Sequence, residues 1–470
     1  MCHRPLTMSG AAVDHHPSAD SGVPRDRLEA LTAAELERFV ATHPRAAAEH
    51  ARGDSGLLGG VPMPWMMRWA GGFPIVAARA EGARLWDLDG HEYVDLCLGD
   101  TGAMTGHAPP AVVAAASERI AMGTTLMLPT EDAAIVGAAL RERFGLPCWQ
   151  ITLSATDANR TAIRMARHAT GRSKVLCFAY SYHGSVDEAF AVAGPDGTTR
   201  PRAGSVGAPV DVALTTRAIE FNDLDALRDA LAHGDVACVL AEPAMTNMGI
   251  VLPDPGYHER LRALTREAGT LLIVDETHTF SAGPGGMTAL LGLEPDLLTI
   301  GKAIAGGIPA GAVGLGDELA RRLVDDADAD LEDTGGIGGT LAGNALALAA
   351  MRATLTDVLT EAAFAHAVAV GDRLLAGVDA IIAQHALPWH ALQIGARVEY
   401  GFTATPPRNG TAVHAHVDAP LERYLHLHAL NRGVLITPFH NMLLASPATA
   451  LADADRHTEV FDEAVTALVS

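Results

Sequence analysis

Lysine is almost absent from this chain of 470 residues: only Lys174 and Lys302 occur, so 32 of the 34 basic residues are arginines. Arginine can carry any surface charge that lysine carries, but only the amine of lysine can lose its proton on burial and attack a carbonyl group. Lys302 stands in the glycine-rich stretch "TIGKAIAGG", which is not the setting of a surface charge. The scarcity of lysine therefore marks Lys302 as a candidate nucleophile.

Other shortages exclude whole classes of protein. No run of roughly 18 apolar residues occurs, and the first residues lack the pattern of a signal peptide, so we expect a soluble, cytoplasmic protein. The five cysteines are odd in number and lack CxxC spacing, which favours small buried side chains over disulfides or a metal cage. The formal net charge of −22 argues against nucleic acid and acidic membrane surfaces as partners.

The centre of the chain alternates between short apolar runs and helical segments. The runs "WQITL", "KVLCFA", "VACVLA", "TLLIV" and "DLLTI" are typical of buried strands, and segments such as "YHERLRALTREAG" between them are typical of helices. This alternation predicts an α/β fold with a mostly parallel central sheet sandwiched by helices.

The two ends of the chain differ from this centre. We expect a disordered tail over residues 1–25, then a helix, a loop and a hairpin around Asp89-Gly90 over residues 26–95. Residues 96–340 would form the large domain. Residues 341–470, with the strands "ARVEYGF", "GVLITP" and "MLLAS", would form a smaller α+β domain to which residues 26–95 contribute.

Chemically active residues follow the predicted strands. In open parallel sheets, ligands bind beyond the carboxyl ends of the strands. The residues at these ends are Ser154-Ala155-Thr156-Asp157, Tyr180 to Gly184, Glu242, Asp275-Glu276 and Lys302. Each alone could be an ordinary helix cap, turn or ion pair. Together, a phosphate-sized cradle at a helix start, a strand-end carboxylate and a lysine match what pyridoxal phosphate requires.

These stretches resemble a known family. "LLIVDETHT" precedes the lysine of "TIGKAIAGGIPAG" by 27 positions, and "SATDANRTAIRMAR", "YSYHG", "LAEPAMTNMG" and "GGTLAGNALALAA" accompany it. The set is similar to the class III aminotransferases of pyridoxal-phosphate fold type I, near the branch of glutamate-1-semialdehyde aminomutase and the β- and ω-amino-acid transaminases. The resemblance covers roughly residues 57 to 467.

The resemblance implies a role for each matching residue. Lys302 would hold the cofactor as a Schiff base and shuttle the substrate proton, and Asp275 would pair with the pyridine nitrogen. The other implied contacts are Ser154, Ala155 and Thr156 at the phosphate, Tyr182 and Thr277 on the two faces of the ring, His278 at the ring 3′-oxygen, Thr340 at the phosphate of the partner subunit, and His183 and Glu242 elsewhere in the site. A homodimer with shared sites is implied, with residues 26–95 at its interface.

Two departures from the family pattern bear on the site. Ala155 stands where the family usually has glycine in its phosphate loop, and its β-carbon is tolerable there only if φ is negative. The segment "DETHTFSAGPGGM" lacks the arginine that many members carry in "GxGRxG". Substrate preference therefore cannot be copied from those members.

The resemblance implies an aminotransferase that moves an amino group from an amino acid or amine to a keto acid or aldehyde by a ping-pong mechanism. An intramolecular aminomutase or a racemase on the same fold is the alternative, because the sequence does not separate these reactions. From other classes, "GGIGGT" partly resembles a dinucleotide loop of a dehydrogenase, although no apolar strand precedes it. A cofactor-binding protein without catalysis is a further alternative.

The substrate-binding residues are the least specified. Arg68 and Arg397 are candidates for a substrate carboxylate, and Trp65 for an apolar wall, each with a structural role as the alternative. The pairs "HAH" (His414, His416) and "HLH" (His426, His428) have the spacing of strand-borne metal ligands but no clear third ligand. We interpret them as surface or interface histidines and assign no metal site.

Overall fold

The computed structural model describes residues 21–53, 55–207, 210–325 and 336–470, which form two compact units. Unit 1 comprises the chain up to Asp100 together with Ala367–Pro406 and Ala415–Ser470. Unit 2 comprises Thr101–His366 and Pro407–His414. Most of the predicted tail lies outside the described residues, but Ser21 and Val23 are buried and the first helix begins at Arg25, so the prediction is wrong for this last part.

The elements are numbered along the chain. The strands are β1 (Ala77–Glu81), β2 (Arg84–Asp87), β3 (Glu92–Asp95), β4 (Cys148–Thr152), β5 (Lys174–Phe178), β6 (Ala191–Ala193), β7 (Thr199–Pro201), β8 (Thr216–Ile219), β9 (Val236–Ala241), β10 (Leu271–Asp275), β11 (Leu297–Ile300), β12 (Gly311–Leu315), β13 (His390–Ile394), β14 (Arg397–Gly401), β15 (Val434–Leu435) and β16 (Met442–Leu444). The α-helices are α1 (Arg25–Thr42), α2 (Pro44–Arg52), α3 (Pro110–Met122), α4 (Glu131–Phe144), α5 (Ala155–Thr170), α6 (Leu224–Leu231), α7 (Tyr257–Ala268), α8 (Gly286–Leu290), α9 (Asp317–Val324), α10 (Ala345–Ala353), α11 (Glu361–Gln384), α12 (Gly410–Ala415), α13 (Ala419–Leu430) and α14 (Leu451–Val469).

Unit 2 is built on a seven-stranded sheet of order β4-β12-β11-β10-β9-β5-β8. Neighbours from β11 through β8 pair in parallel, and β12 runs antiparallel between β11 and β4. The α/β prediction and its five central strands are confirmed. Two strands of the sheet were not predicted. The residues "GAVGL" of β12 lie in a glycine-rich stretch that is typical of a loop, and the edge strand β8 has only the four residues "TRAI", one of them an arginine.

Apolar side chains cover this sheet on both faces. One core cluster packs β5, β9 and β10 against α6 and α7, and contains Phe178, Phe221 and Tyr257. The other packs the opposite face against α5, whose buried side chains there include Ala162 and Ile163. Burial on both faces explains why the central strands are apolar throughout instead of alternating.

Unit 1 contains two smaller sheets, of order β1-β2-β3-β15 and β13-β14-β16. The hairpin predicted around Asp89-Gly90 is confirmed as the antiparallel pair β2–β3, and the three predicted C-terminal strands are β14, β15 and β16. The long first helix of the prediction is instead two helices, α1 and α2. Pro44 lacks a backbone N–H and therefore begins a new helix at its first position.

The boundary predicted at residue 341 differs from the division of the chain, because unit 2 continues to His366 and regains Pro407–His414. The helix α10 explains the difference: its buried face packs on α3 and α4, both in unit 2. We predicted a new domain from the helical pattern of this segment, but the segment belongs to the larger unit.

The described cysteines are unpaired, as the sequence predicted. Cys97, Cys177 and Cys238 are buried and, like Cys148, unpaired. Burial raises the pKa of each of the three buried thiols to about 12, so they stay protonated at neutral pH. Within the described part of the chain, none of the helices is long and apolar enough to cross a membrane.

We predict that Phe178→Ala lowers the free energy of unfolding of unit 2 by about 3–5 kcal/mol, because it empties a fully buried site in the aromatic cluster. Urea denaturation followed by fluorescence measures the change. Leu290→Ala, at a side chain that is 70% exposed, is the control and should change stability by less than about 0.5 kcal/mol. Equal effects of the two changes would contradict this description of the core.

Candidate active site

Parallel pairing brings two reactive side chains to one edge of the large sheet. In the pair β10–β11, Asp275 lies beside Thr299, so both strands end at the same edge. Asp275 is the last residue of β10, and Lys302 follows β11 after Ile300 and Gly301. Lys302 has a φ of 47°, in the left-handed region, which non-glycine residues seldom occupy.

The amine of Lys302 faces a histidine. Lys302 Nζ lies 2.7 Å from His278 Nε2, and the other ring nitrogen, Nδ1, lies 3.0 Å from the hydroxyl of Thr101. Thr101 is fully buried and fixes the orientation of the imidazole. The hydroxyl holds the imidazole in place, and the imidazole can exchange a proton with the lysine amine.

The carboxylate of Asp275 is buried and held by donors from three places. Asn159 Nδ2 in α5 donates to Oδ2 at 2.8 Å, and His183 Nδ1 lies 2.9 Å from the same oxygen. The backbone N–H of Thr277 donates to Oδ1 at 3.1 Å. Asn159 is itself fixed, because it accepts the hydroxyl of Thr299 at 2.6 Å and donates to the carbonyl of His183.

These donors decide the charge of Asp275. Burial alone raises its pKa, but the interactions with His183 and the hydrogen bonds from Thr277 and Asn159 outweigh burial and lower the pKa to about 2. The group is therefore an ionised carboxylate at neutral pH in an environment that excludes water. Such a site stabilises a cation, above all an N–H⁺ of a bound ligand.

The start of α5 has the features that suit an anion. Ser154 caps this helix by accepting the N–H of Asp157, and the helix start directs free N–H groups and a positive dipole outward. Ala155 is not among the residues with positive φ, which meets the condition that its β-carbon requires. A neighbouring loop contributes Ser185, whose N–H donates to Thr156 Oγ1 at 3.2 Å.

Two glycines let the backbone close around this cradle. A β-carbon at Gly184 would lie 1.9 Å from Thr156 Oγ1, and φ at Gly184 is 77°. A β-carbon at Gly301, next to the lysine, would lie 2.6 Å from the backbone nitrogen of Ala155. The loops that carry His183 and Lys302 therefore touch the helix start directly, and a larger residue would push them away.

The other predicted residues of unit 2 have varied surroundings. Tyr182 is half-buried, with its ring 6.4 Å from that of Phe190. Thr277 is buried, and its hydroxyl finds no hydrogen-bond partner in the described ranges. Glu242 is buried and accepts the N–H and hydroxyl of Thr246. Thr340 is exposed. The predicted roles of these four residues stay predictions.

The three predicted substrate contacts belong to unit 1. Arg397 is fully buried in β14, where its guanidinium pairs with the buried carboxylate of Glu399. The ring of Trp65 lies 5.0 Å from that of Phe439, and Arg68 directly follows a short 3₁₀ helix. Their part in binding a substrate stays a prediction.

The interpretation of "HLH" as surface or interface histidines was wrong. Both residues are in the helix α13 and are buried, not exposed. His426 Nε2 lies 3.1 Å from Asn441 Oδ1, and His428 Nδ1 lies 3.1 Å from Glu35. In "HAH", the ring of His414 stacks on Tyr180 at 4.5 Å. His426 and His428 are two positions apart, which is the spacing of side chains on one face of a strand. They instead lie in a helix that begins at Ala419.

The sequence analysis missed Asn159 and Thr101. Asn159 carried a usable signal, since an amide within the small apolar series Ala158, Ala162 and Ala166 of a buried helix needs buried partners. No sequence signal marked Thr101. It is 177 positions from His278 along the chain and lies in a turn where its own φ is positive.

Comparison with known proteins identifies the family. The family model "Aminotransferase class-III" matches residues 65–467. The chain belongs to the class III aminotransferases.

Several relatives of this class III aminotransferase have names or solved structures. It is 35% identical over 431 residues to the glutamate-1-semialdehyde 2,1-aminomutase of Chloroflexus aggregans, covering 89% of this chain and 97% of the relative. A solved glutamate-1-semialdehyde aminomutase from Pseudomonas aeruginosa is 49% identical, with a TM-score of 0.92 over 95% of this chain and 100% of that one. The β-phenylalanine aminotransferase of Variovorax paradoxus is 28% identical, with a TM-score of 0.82 over 93% and 97%.

As a member of this family the chain is a pyridoxal-phosphate enzyme of fold type I, and the site fits that cofactor. An ionised carboxylate at Asp275 suits the protonated pyridine nitrogen, and the start of α5 suits the phosphate. The buried side chain of Thr277 lies beside this carboxylate. A variant of the Pseudomonas protein, 48% identical to this chain, was solved in complex with PMP.

We predict that Asn159→Leu destabilises the cofactor-free protein by about 1–3 kcal/mol, because the buried partners of the amide, Asp275 and Thr299, lose their hydrogen bonds. Urea denaturation measures the loss. Thr299→Val is the matched control: it removes only the hydroxyl and should cost less. If the two substitutions lower the free energy of unfolding equally, the hydrogen bond from the Asn159 amide to Asp275 does not stabilise the protein.

Proposed function

We propose that this chain catalyses intramolecular transfer of an amino group between adjacent carbons of one substrate, with pyridoxal phosphate as cofactor. The observation that supports it most is the 49% identity over the full length of a glutamate-1-semialdehyde aminomutase, together with the lysine, carboxylate and helix start at one sheet edge. This aminomutase reaction, the alternative in the sequence analysis, has more support than transamination between two molecules. An α-amino aldehyde such as glutamate-1-semialdehyde is the proposed substrate class.

In the proposed site, each residue acts through the atoms described above. The cofactor, when bound, supplies an electron sink for the pair of electrons left when a substrate C–H bond breaks. Lys302 Nζ holds the cofactor covalently and, once released from it, carries the substrate proton. His278, 2.7 Å from that amine, hands the proton on or returns it, with Thr101 keeping the imidazole in place.

The remaining residues hold the ends of the cofactor. Asp275 keeps the pyridine nitrogen protonated, and His183 and Asn159 keep Asp275 ionised. Ser154 and the N–H groups of α5 bind the phosphate, while Tyr182 and Thr277 are proposed to flank the ring. The two ends of the site thus carry opposite charges that match those of the ligand.

Transamination between two substrates is the second candidate function. The 28% identity and TM-score of 0.82 to a β-phenylalanine aminotransferase favour it. The two reactions differ in their need for an acceptor: a mutase regains its starting form within one substrate, whereas a transaminase stops after one turnover without a keto acid or aldehyde.

The scarcity of lysine allows a sharp test of the cofactor link. Borohydride treatment should fix pyridoxal phosphate to Lys302 alone, which intact-mass and peptide mass spectrometry detect. Lys302→Ala should lose the adduct, the visible absorption band and activity. Lys174→Ala, which removes the only other lysine and its contact with Asp235, should keep all three. An adduct that persists in Lys302→Ala would overturn the assignment.

The reaction type is tested by leaving out the acceptor. With glutamate-1-semialdehyde as the only substrate, we expect many turnovers per active site, measured as isomerised product by NMR. Product limited to one equivalent per site, and restored to continuous turnover by an added keto acid, would favour the transaminase. Lys302→Ala, which lacks the amine, is the inactive control for both.

We further propose that the enzyme is a homodimer whose partner subunit completes each cofactor site. Leu126, Met127 and Leu128 form an exposed apolar segment in unit 2; Met127 is 78% and Leu128 74% exposed. Leu341, next to the exposed Thr340, is half-exposed. Apolar surface of this kind is typical of an interface.

We expect Leu128→Asp to shift the enzyme from dimer to monomer in sedimentation velocity and to reduce the pyridoxal phosphate retained after dialysis at least about tenfold. Val206→Asp is the control, because Val206 is fully exposed and outside the apolar segment. A dimer that persists in Leu128→Asp with full cofactor content would place the interface elsewhere.

A further inference from the structure

A group of four polar side chains in unit 1 takes no part in the proposed reaction. It comprises His43, Asp87, His91 and Tyr93, and is called the His43 cluster below. His43 lies between α1 and α2, Asp87 ends β2, His91 is in the hairpin turn and Tyr93 is in β3. His43, Asp87 and Tyr93 are buried, whereas the side chain of His91 is 38% exposed, which gives a small solute access from solvent.

The donor atoms of the His43 cluster converge on one point. Asp87 Oδ2 lies 2.7 Å from the Tyr93 hydroxyl oxygen, 2.9 Å from His91 Nδ1 and 3.4 Å from His43 Nε2. His43 Nε2 also lies 2.9 Å from the Tyr93 oxygen. The ligand atoms of the two histidines and the aspartate lie within 4.8 Å of one another.

The contacts of the cluster show where its hydrogens lie. His43 Nδ1 lies 2.8 Å from the carbonyl oxygen of Phe39, so Nδ1 bears the hydrogen of the neutral ring and Nε2 is a lone pair. Tyr93 has a single proton, which points either to His43 Nε2 or to Asp87. A bound cation would take the place of the hydrogens that His91 Nδ1 and the Tyr93 hydroxyl direct at Asp87 Oδ2 and His43 Nε2.

The surroundings already orient the ligands as they do in metal sites. The second nitrogen of a metal-bound histidine usually donates to a carbonyl or carboxylate, as His43 Nδ1 does to Phe39. The other oxygen of Asp87, Oδ1, accepts the backbone N–H of His91 at 2.8 Å, which leaves Oδ2 for the metal. A tetrahedron with bonds of ~2.1 Å has edges of about 3.4 Å, which matches the 3.4 Å between Asp87 Oδ2 and His43 Nε2, whereas the hydrogen-bonded pairs at 2.7 to 2.9 Å would have to move apart by about 0.5 Å or more.

We propose that the His43 cluster binds one divalent transition-metal ion of the Zn²⁺ class through His43 Nε2, Asp87 Oδ2 and His91 Nδ1, with the Tyr93 oxygen or water in the fourth position. Imidazole and carboxylate together suit Zn²⁺ and its neighbours better than Mg²⁺ or Ca²⁺, which prefer oxygen ligands alone. The ion would connect the α1–α2 junction to the β2–β3 hairpin and stabilise unit 1. The site could not be predicted from the sequence, because His43 is remote along the chain from the pair Asp87 and His91.

The test compares zinc binding by the holoenzyme and two single variants. After EDTA treatment and dialysis, Zn²⁺ is added and its affinity and stoichiometry are measured by calorimetry, with metal content by mass spectrometry. The wild type should bind one Zn²⁺ per chain and gain thermal stability. His91→Ala, which removes the exposed ligand and leaves the buried core intact, should weaken binding more than about 100-fold and lose the stability gain.

His50→Ala is the matched control, because His50 is an exposed histidine of the neighbouring helix α2, and it should bind Zn²⁺ like the wild type. Circular dichroism checks that all three proteins are folded, and His91→Gln repeats the test if His91→Ala is not. A Co²⁺ absorption spectrum typical of tetrahedral nitrogen and oxygen ligands, absent in the His91 variants, would support the assigned ligand set. Equal zinc binding by wild type and His91 variants, or none by the wild type, would overturn the proposal.

Discussion

The buried carboxylate of Asp275 is the constraint on which the rest of the site depends. An ionised group away from water costs several kcal/mol unless donors meet it, and here α5, the loop at His183 and the turn at Thr277 each supply one. These three segments must therefore be folded around Asp275 before its carboxylate can be buried in the ionised form. The carboxylate in turn fixes the end of β10 relative to the start of α5. The arrangement of the large sheet and the geometry of the site therefore depend on the same contacts.

Glycine and strain complete this arrangement. Gly184 and Gly301 let two loops approach the start of α5 more closely than any side chain would permit. Lys302 itself occupies a left-handed conformation that costs about 1 kcal/mol or more, which the parallel strands around it maintain. The site is thus preorganised by the backbone, with a negative charge at one end and a helix start at the other.

The sequence predicted the large sheet well because strands buried on both faces are apolar throughout. Because parallel strands end at one edge of a sheet, the sequence also predicted that Asp275 and Lys302 would lie at the same edge. It did not predict β12, whose glycines hide its strand character, or the break at Pro44 within a continuous helical pattern. The contact of Thr101 with His278 and the His43 cluster were not predicted from the sequence either. Their partners come from distant parts of the chain, and only the packed structure brings them together.

Replacement of nearly all lysines by arginines has a chemical consequence for the whole molecule. Guanidinium groups stay protonated at neutral pH and resist the acylating reagents that consume primary amines. Of the two side-chain amines in the chain, Lys174 is largely covered and pairs with Asp235. Acylation would therefore leave nearly all basic side chains of the protein untouched, and inactivation by an acylating reagent would follow the fate of a single amine.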